Sequence, residues 1–168
     1  MNLRDSIIMK LNFAERVRMK VVIVSGYFNP LHGGHLDMIE AAKQLGDRLI
    51  VVVNNDIQAV MKKGKVILEE DNRLRLIRAL RDVDEAFLSI DTADTSQTET
   101  LRMIRSKYPD DELIFANGGD RSEGLALPTN EFDACQECGI EMVFGVGSHE
   151  VEKRDSSTRI NQALGHEE

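Results

Sequence analysis

Val21-Val22-Ile23-Val24-Ser25-Gly26-Tyr27-Phe28-Asn29-Pro30-Leu31-His32-Gly33-Gly34-His35 is the stretch that decides the fold. Its first four residues form a short, unbroken apolar run rich in β-branched side chains, the pattern of a strand buried on both faces. From about Gly34 to Leu45 the residues Leu36, Ile39, Ala42 and Leu45 recur three positions apart, as on an amphipathic helix, with Gly46 as its C-cap. Leu49-Ile50-Val51-Val52-Val53 repeats the buried-strand pattern, and Asn54-Asn55-Asp56 supplies turn chemistry after it. Strand, helix and strand together make a β-α-β unit.

The same alternation continues outward. The spacing of Leu74, Ile77, Ala79 and Leu80 predicts a helix over Glu70 to Leu80, followed by a strand over Ala86 to Ile90. A helix over Thr98 to Tyr108 is stopped by Pro109, and Leu113 to Ala116 is a fourth strand opening into Asn117-Gly118-Gly119-Asp120. Glu131 to Cys138 reads as helix, Glu141 to Phe144 as strand, and Ser156 or Ser157 as the N-cap of a last helix running to about Leu164. Right-handed crossovers between parallel strands then give a doubly wound, Rossmann-like α/β fold: a parallel five-stranded sheet with helices on both faces. Ligands of such sheets bind beyond the carboxyl ends of the strands, where strand order reverses. Residues 1–18 read as an arm or extra helix, and 19–168 as one domain.

Composition narrows the function classes. The 168 residues are 42% hydrophobic and 30% charged, a globular balance. No apolar run approaches the length of a bilayer span, and charges stud the first twenty residues where a secretory signal would be apolar. Two cysteines fit a reducing compartment, so a cytoplasmic location is expected. A formal charge of −8 argues against nucleic acid as a partner, while Lys62, Lys63 and Lys65, and Arg73, Arg75, Arg78 and Arg81, concentrate positive charge locally.

The loop after the first strand carries the chemistry. Gly26, Gly33 and Gly34 permit close backbone approach or unusual dihedrals, and a helix start offers N–H groups and a positive dipole end to an anion. His32 and His35, three apart, can present both imidazoles on one side of the helix entrance. Fixed N–H donors of this kind neutralise charge on an α-phosphate while an anionic nucleophile attacks and pyrophosphate leaves. Zinc would need three or four ligands, and His149 and His166 have no matching spacing.

The segment resembles the HxGH signature of the cytidylyltransferase-like nucleotidyltransferases, Gly-x-Phe-(Asp or Asn)-x-x-His-x-Gly-His, through Gly26, Phe28, Asn29, His32, Gly34 and His35. Ala41 to Val51, and Asn72-Arg73 through Val83-Asp84-Glu85, are similar to glycerol-3-phosphate cytidylyltransferases and the adenylyltransferase domain of ADP-heptose synthases. The Asn29-Pro30 pair is closer to nicotinate mononucleotide adenylyltransferases.

The resemblance implies further site residues. Tyr27 belongs to the nucleotide-binding loop with Gly26, Phe28, Asn29 and Gly34. Lys63, in a lysine-rich loop after the second strand, would act with the two histidines, and Arg73 would face a phosphate, whereas Arg75, Arg78 and Arg81 read as a solvated helix face. Gly118, Gly119, Asp120 and Arg121 resemble the Gly-Gly-Asp segment of the ADP-heptose synthase domain, where a base can lie on backbone. Ser156, Ser157, Thr158 and Arg159 resemble the family's second signature, a hydroxyl-rich helix start for phosphates, although Asp155 stands where an aliphatic residue is usual. Ser148, His149 and Glu150 would border the nucleotide.

Cys135 and Cys138 form a CxxC with no second pair and no strand leading into it, so they read as packing residues. Mg2+ is implied by the nucleotide chemistry and would be held mainly by the phosphates. The expected reaction is transfer of AMP or CMP from ATP or CTP to a phosphorylated sugar, polyol or alcohol. A nicotinate or nicotinamide mononucleotide adenylyltransferase and a non-catalytic nucleotide sensor are the alternatives. The resemblance also allows a homodimer, with no membrane partner.

Overall fold

The structure, a computed structural model, describes residues 2–4, 17–119, 128–147 and 157–165, with side chains of the last stretch described from Ile160 onward. The arm expected over 1–18 falls outside these residues except at 2–4, 17 and 18. The chain runs β1 (Lys20–Gly26), α1 (Gly33–Lys43), β2 (Arg48–Val53), α2 (Asp56–Lys63), α3 (Glu70–Arg78), β3 (Glu85–Leu88), α4 (Thr98–Lys107), β4 (Glu112–Gly118), α5 (Thr129–Cys138), β5 (Ile140–Val146) and α6 (Ser157–Ala163).

The five strands form one sheet in the order β3-β2-β1-β4-β5, every neighbouring pair parallel. This is the expected doubly wound, Rossmann-like sheet. Period-two alternation splits its side chains into two cores. Val22, Val24, Val51 and Val53 pack with Ile39 and Ala42 of α1 and Leu74 and Ile77 of α3. Val21, Ile23, Ile50 and Val52 face the other way, onto Leu101 and Ile104 of α4 and Cys135 of α5. Because both faces are covered, the central strands read as continuous apolar runs. Cys135 is buried, and burial first, then Glu131 and Cys138, pushes its thiol up to about 12, which suits a packing role.

Two readings need correction. Gly46 is not a C-cap: α1 ends at Lys43 with Gln44 in the right-handed region. A Cβ on Gly46 would sit 2.6 Å from the Lys20 carbonyl oxygen, so the glycine serves the close approach of the α1–β2 link to the start of β1. The second concerns Lys62 and Lys63, which end α2 instead of lying in a loop.

The reason α2 escapes a periodicity search is its inverted face. It buries Gln58 and Ala59 and exposes Ile57, Val60 and Met61. Gln58 is accommodated because it donates to the Asp94 and Ser96 carbonyls at 3.1 and 2.8 Å and accepts from Asn54 Nδ2 at 3.0 Å. Asn55, expected in a turn, is the N-cap: its side chain accepts from the Gln58 N–H at 2.9 Å while Gln58 accepts in return from the Asn55 N–H at 3.4 Å. Gly64 then stops the helix in the left-handed region at φ 73°.

Candidate active site

β1 is the middle strand, with β2 on one side and β4 on the other, so its carboxyl end lies where strand order reverses. The chain leaves it in a constrained turn. Phe28 is buried at φ 51°, and its ring lies so close over Gly26 that a Cβ there would meet it at 2.7 Å. Gly26 is thus required, whereas a Cβ on Gly33 would meet no protein atom within 4 Å. The Phe28 ring also meets His35 edge-on, with centroids 5.0 Å apart.

His32 and His35 begin α1 as a reciprocal cap made of imidazoles. His32 Nδ1 accepts from the Gly34 N–H at 3.1 Å, and His35 Nδ1 accepts from the His32 N–H at 3.3 Å. The rings stack with centroids 3.8 Å apart and planes 29° from parallel. An imidazole nitrogen that accepts an N–H cannot carry the ring's proton, so both neutral rings hold it on Nε2. Burial, and then the neighbouring His32, lowers the His35 pKa to about 4. His35 therefore enters neutral pH as a neutral Nε2–H donor.

Arg73, expected to face a phosphate, is enclosed by protein acceptors instead. It is 0% exposed. Its Nε donates to the Leu68 carbonyl at 2.8 Å, Nη1 to the Tyr27 and Asn54 carbonyls at 2.7 and 2.6 Å, and Nη2 to Asp56 Oδ1 at 2.6 Å. One guanidinium thereby ties the His loop, the end of β2, the start of α2 and the α2–α3 link together. Asn29 adds a second tie, with Oδ1 accepting from the Ile67 and Leu68 N–H groups at 3.1 and 2.8 Å. The peptide groups of Leu68 are held on both sides, by Asn29 at its N–H and by Arg73 at its carbonyl. Arg75, Arg78 and Arg81 are exposed, as expected for a solvated face.

Other expected residues share the carboxyl edge. Lys63 is exposed on the last turn of α2. Gly118 ends β4, and a Cβ there would come within 3.3 Å of Met38 Sδ on α1, with exposed Gly119 following. Ser157, Thr158 and Arg159 lie in the first turn of α6, described by backbone alone. Asp120, Arg121, Ser148, His149, Glu150, Asp155 and Ser156 lie outside the described residues. α6 also contacts the His loop, where Asn161 Nδ2 donates to the Asn29 carbonyl at 3.4 Å.

Sequence reading overlooked Gly147 and Asn161. Gly147 follows β5 at φ 77°, and a Cβ on it would fall 2.9 Å from Met38 Cα, so the end of β5 presses on the backbone of α1. The Gly145-Val146-Gly147 spacing was a visible signal of unusual backbone, but its partner was not. Among the described residues no three His, Cys, Asp or Glu side chains gather as a metal-binding group, and no helix is long and apolar enough to cross a membrane.

A parallel sheet in this order, with an HxGH helix entrance beyond its central strand, defines the class of α/β nucleotidyltransferases. Within that class the chain belongs to the cytidylyltransferase-like family, whose model matches residues 23–163. It is 40% identical over 140 residues to an FAD synthase from Methanothrix thermoacetophila, covering 76% of this chain and 93% of that one. It is 32% identical over 147 residues to the bifunctional protein HldE of Desulfatibacillum aliphaticivorans, covering 86% of this chain but 27% of the longer relative. A solved structure of a lipopolysaccharide core biosynthesis protein from Thermoplasma volcanium superposes with a TM-score of 0.56 at 29% identity, covering 76% of this chain and 94% of that one. The protein is thus an enzyme of nucleotidyl transfer.

Proposed function

We propose that the protein transfers AMP from ATP to the phosphate of flavin mononucleotide, forming FAD and pyrophosphate. The likeness to an FAD synthase along nearly that protein's whole length supports this acceptor. The observation that carries the chemistry is the pair of stacked imidazoles, both with Nδ1 occupied by backbone N–H groups. An acceptor phosphate oxygen attacks the α-phosphorus, the bond from that phosphorus to the β-bridging oxygen breaks, and the electron pair leaves with pyrophosphate. The Nε2–H groups of His32 and His35 donate to α-phosphate oxygens as their charge grows.

Lys63 supplies a cation to the polyphosphate from the end of α2, with Gly118 and Gly119 bordering the base. Arg73 acts through the backbone it holds, the Tyr27 carbonyl included. The proposed donors are neutral or cationic, a set that suits an anion bringing its own Mg2+ on its phosphates. ADP-heptose formation from a sugar 1-phosphate is the second reading, favoured by the match to HldE over most of this chain.

Pyrophosphate release is measured with ATP, CTP, GTP and UTP against flavin mononucleotide, sugar 1-phosphates, polyol phosphates and nicotinate mononucleotide. Release with ATP and flavin mononucleotide, together with FAD in the products, is expected. Release only with another acceptor would replace the flavin reading, and tight ATP binding without release from any acceptor would make the protein a sensor. His32→Ala and His35→Ala each lower turnover about a hundredfold or more, the scale of a lost transition-state donor. Undiminished release in both variants would remove the histidines from the mechanism.

A further inference from the structure

The sheet has two outer strands, and they are finished differently. β3 is four residues long. Ser89, just beyond it, donates to the Val53 carbonyl at 2.8 Å, so by the alternation of a parallel ladder Ala86 turns its own N–H and C=O away from β2. Arg78 Nε donates to that outward carbonyl at 3.1 Å, which blocks the edge with a cation. β5, at the other end, is seven residues long, Ile140-Glu141-Met142-Val143-Phe144-Gly145-Val146, with one charge and no proline. β4 pairs with its inner side, and among the described residues no strand pairs with its outer side. Met142, Val143 and Phe144 are only half-buried.

The helix beside β5 extends this surface. Asn130 of α5 donates to Asp94 and Ser96 ahead of α4, and Glu137 accepts from Arg102 on α4, so one flank of α5 faces α4. At about 100° per residue Phe132 stands on the opposite flank. Because α4 packs over β1 and β2, that flank is the one towards the outermost strand, β5. Phe132 is 44% exposed there. A long, charge-poor strand edge with an exposed aromatic on the helix beside it offers what a further strand needs.

Charge and symmetry decide which strand. Each copy of the chain carries a formal −8, so two copies repel wherever their acidic surfaces meet. β5 brings only Glu141 to such a contact. A two-fold axis at its middle residue, Val143, pairs two such strands antiparallel and sets the two Glu141 four positions apart. That is about 13 Å, beyond the screening length of about 8 Å. The same pairing turns the carboxyl edges of the two sheets in opposite directions, so both candidate active sites stay open. We infer that β5 is the interface of a homodimer, in which two copies join edge to edge through residues 140–144 into one continuous sheet, with Phe132 of each copy covered beside the junction.

Sedimentation velocity of the full chain over micromolar concentrations is read together with amide hydrogen exchange at the same concentrations. A monomer–dimer equilibrium is expected, with exchange of the 140–144 amides slowing as the dimer forms. Phe132→Glu should raise the dimer dissociation constant about tenfold or more while ATP binding per chain, measured by calorimetry, stays as in the wild type. A chain that is monomeric at every concentration, leaving the edge to another protein's strand, would overturn the inference. So would a dimer whose protection falls elsewhere, such as on the outward Ile57, Val60 and Met61 of α2, or one whose dissociation constant is unmoved in folded Phe132→Glu. Should that variant not fold, the exchange pattern of the wild type decides alone. No acceptor enters these measurements, so their outcome is separate from that of the flavin reading.

Discussion

His35 accepts at Nδ1 from the backbone of His32, lies against Phe28 and is mostly shielded from water. Burial, which penalises a charged ring, and then the neighbouring His32 bring its pKa down to about 4 from 6.5. The sign of the linkage follows. Between these values the unfolded chain binds the proton and the folded chain does not, so stability is full above about 6.5 and drains away as the pH falls towards 4. From pH 7 to pH 5 this residue should remove about 2 kcal/mol of stability. Urea unfolding at the two pH values checks it: His35→Gln, whose amide oxygen can take over the capping bond, should lose less than the wild type. An identical loss in both proteins would show that His35 does not carry the effect.

At the scale of elements, α2 is a helix held by its polar side. Its cap is Asn55, which also donates to the Ser89 and Asp91 carbonyls at 3.0 and 2.7 Å, and its buried position is filled by Gln58. The helix is positioned by Arg73 through Asp56, so the cation at its far end, Lys63, inherits its place from a salt bridge between a buried guanidinium and a half-buried carboxylate. Arg73→Lys removes the fork that reaches four acceptors while keeping the charge. Leaving several of these buried carbonyls without a donor costs about 3 kcal/mol, to be read from denaturant unfolding. If Arg73 instead served mainly as a phosphate ligand, the lysine variant would keep its stability and lose nucleotide affinity alone.

Across the whole molecule, β1 is placed in the centre so that its outgoing loop can be met from both sides. From one side the α2–α3 link and Arg73 meet the loop, and from the other Gly118 and Gly147, at the ends of β4 and β5, meet Met38 of the helix that follows it. Gly147→Ala forces an L-residue to φ 77° and a methyl group to 2.9 Å from the α1 backbone. Together these should cost about 2–4 kcal/mol. The same variant should bind ATP more weakly, because α1 and its histidines are displaced. Thermal melting and nucleotide calorimetry read the two effects, and an unchanged melting temperature would refute the packing argument.

The fold was legible because its strands are buried on both faces: runs such as Val21 to Val24 and Leu49 to Val53 have no reading as amphipathic helices of useful length. The histidine loop was legible because glycine and histidine spacing is local. α2 was not, since the larger of its buried residues is Gln58 while Ile57, Val60 and Met61 face outward, and only the distant Asp94 and Ser96 carbonyls make that burial acceptable. Arg73 is the same case, a charge on a polar-looking stretch that becomes interior once four acceptors from separate segments converge on it.

The sequence by itself determined the alternation of strands and helices apart from α2, the site at the exit of β1 and the identity of the two imidazoles, all properties of neighbouring residues. Tertiary structure alone decided which nitrogen of each imidazole bears the proton, that Arg73 holds backbone, and that Asn29 joins three segments. Those outcomes depend on hydrogen-bond partners that lie far apart in the chain, or on backbone N–H groups whose direction is set only when α1 docks on the sheet.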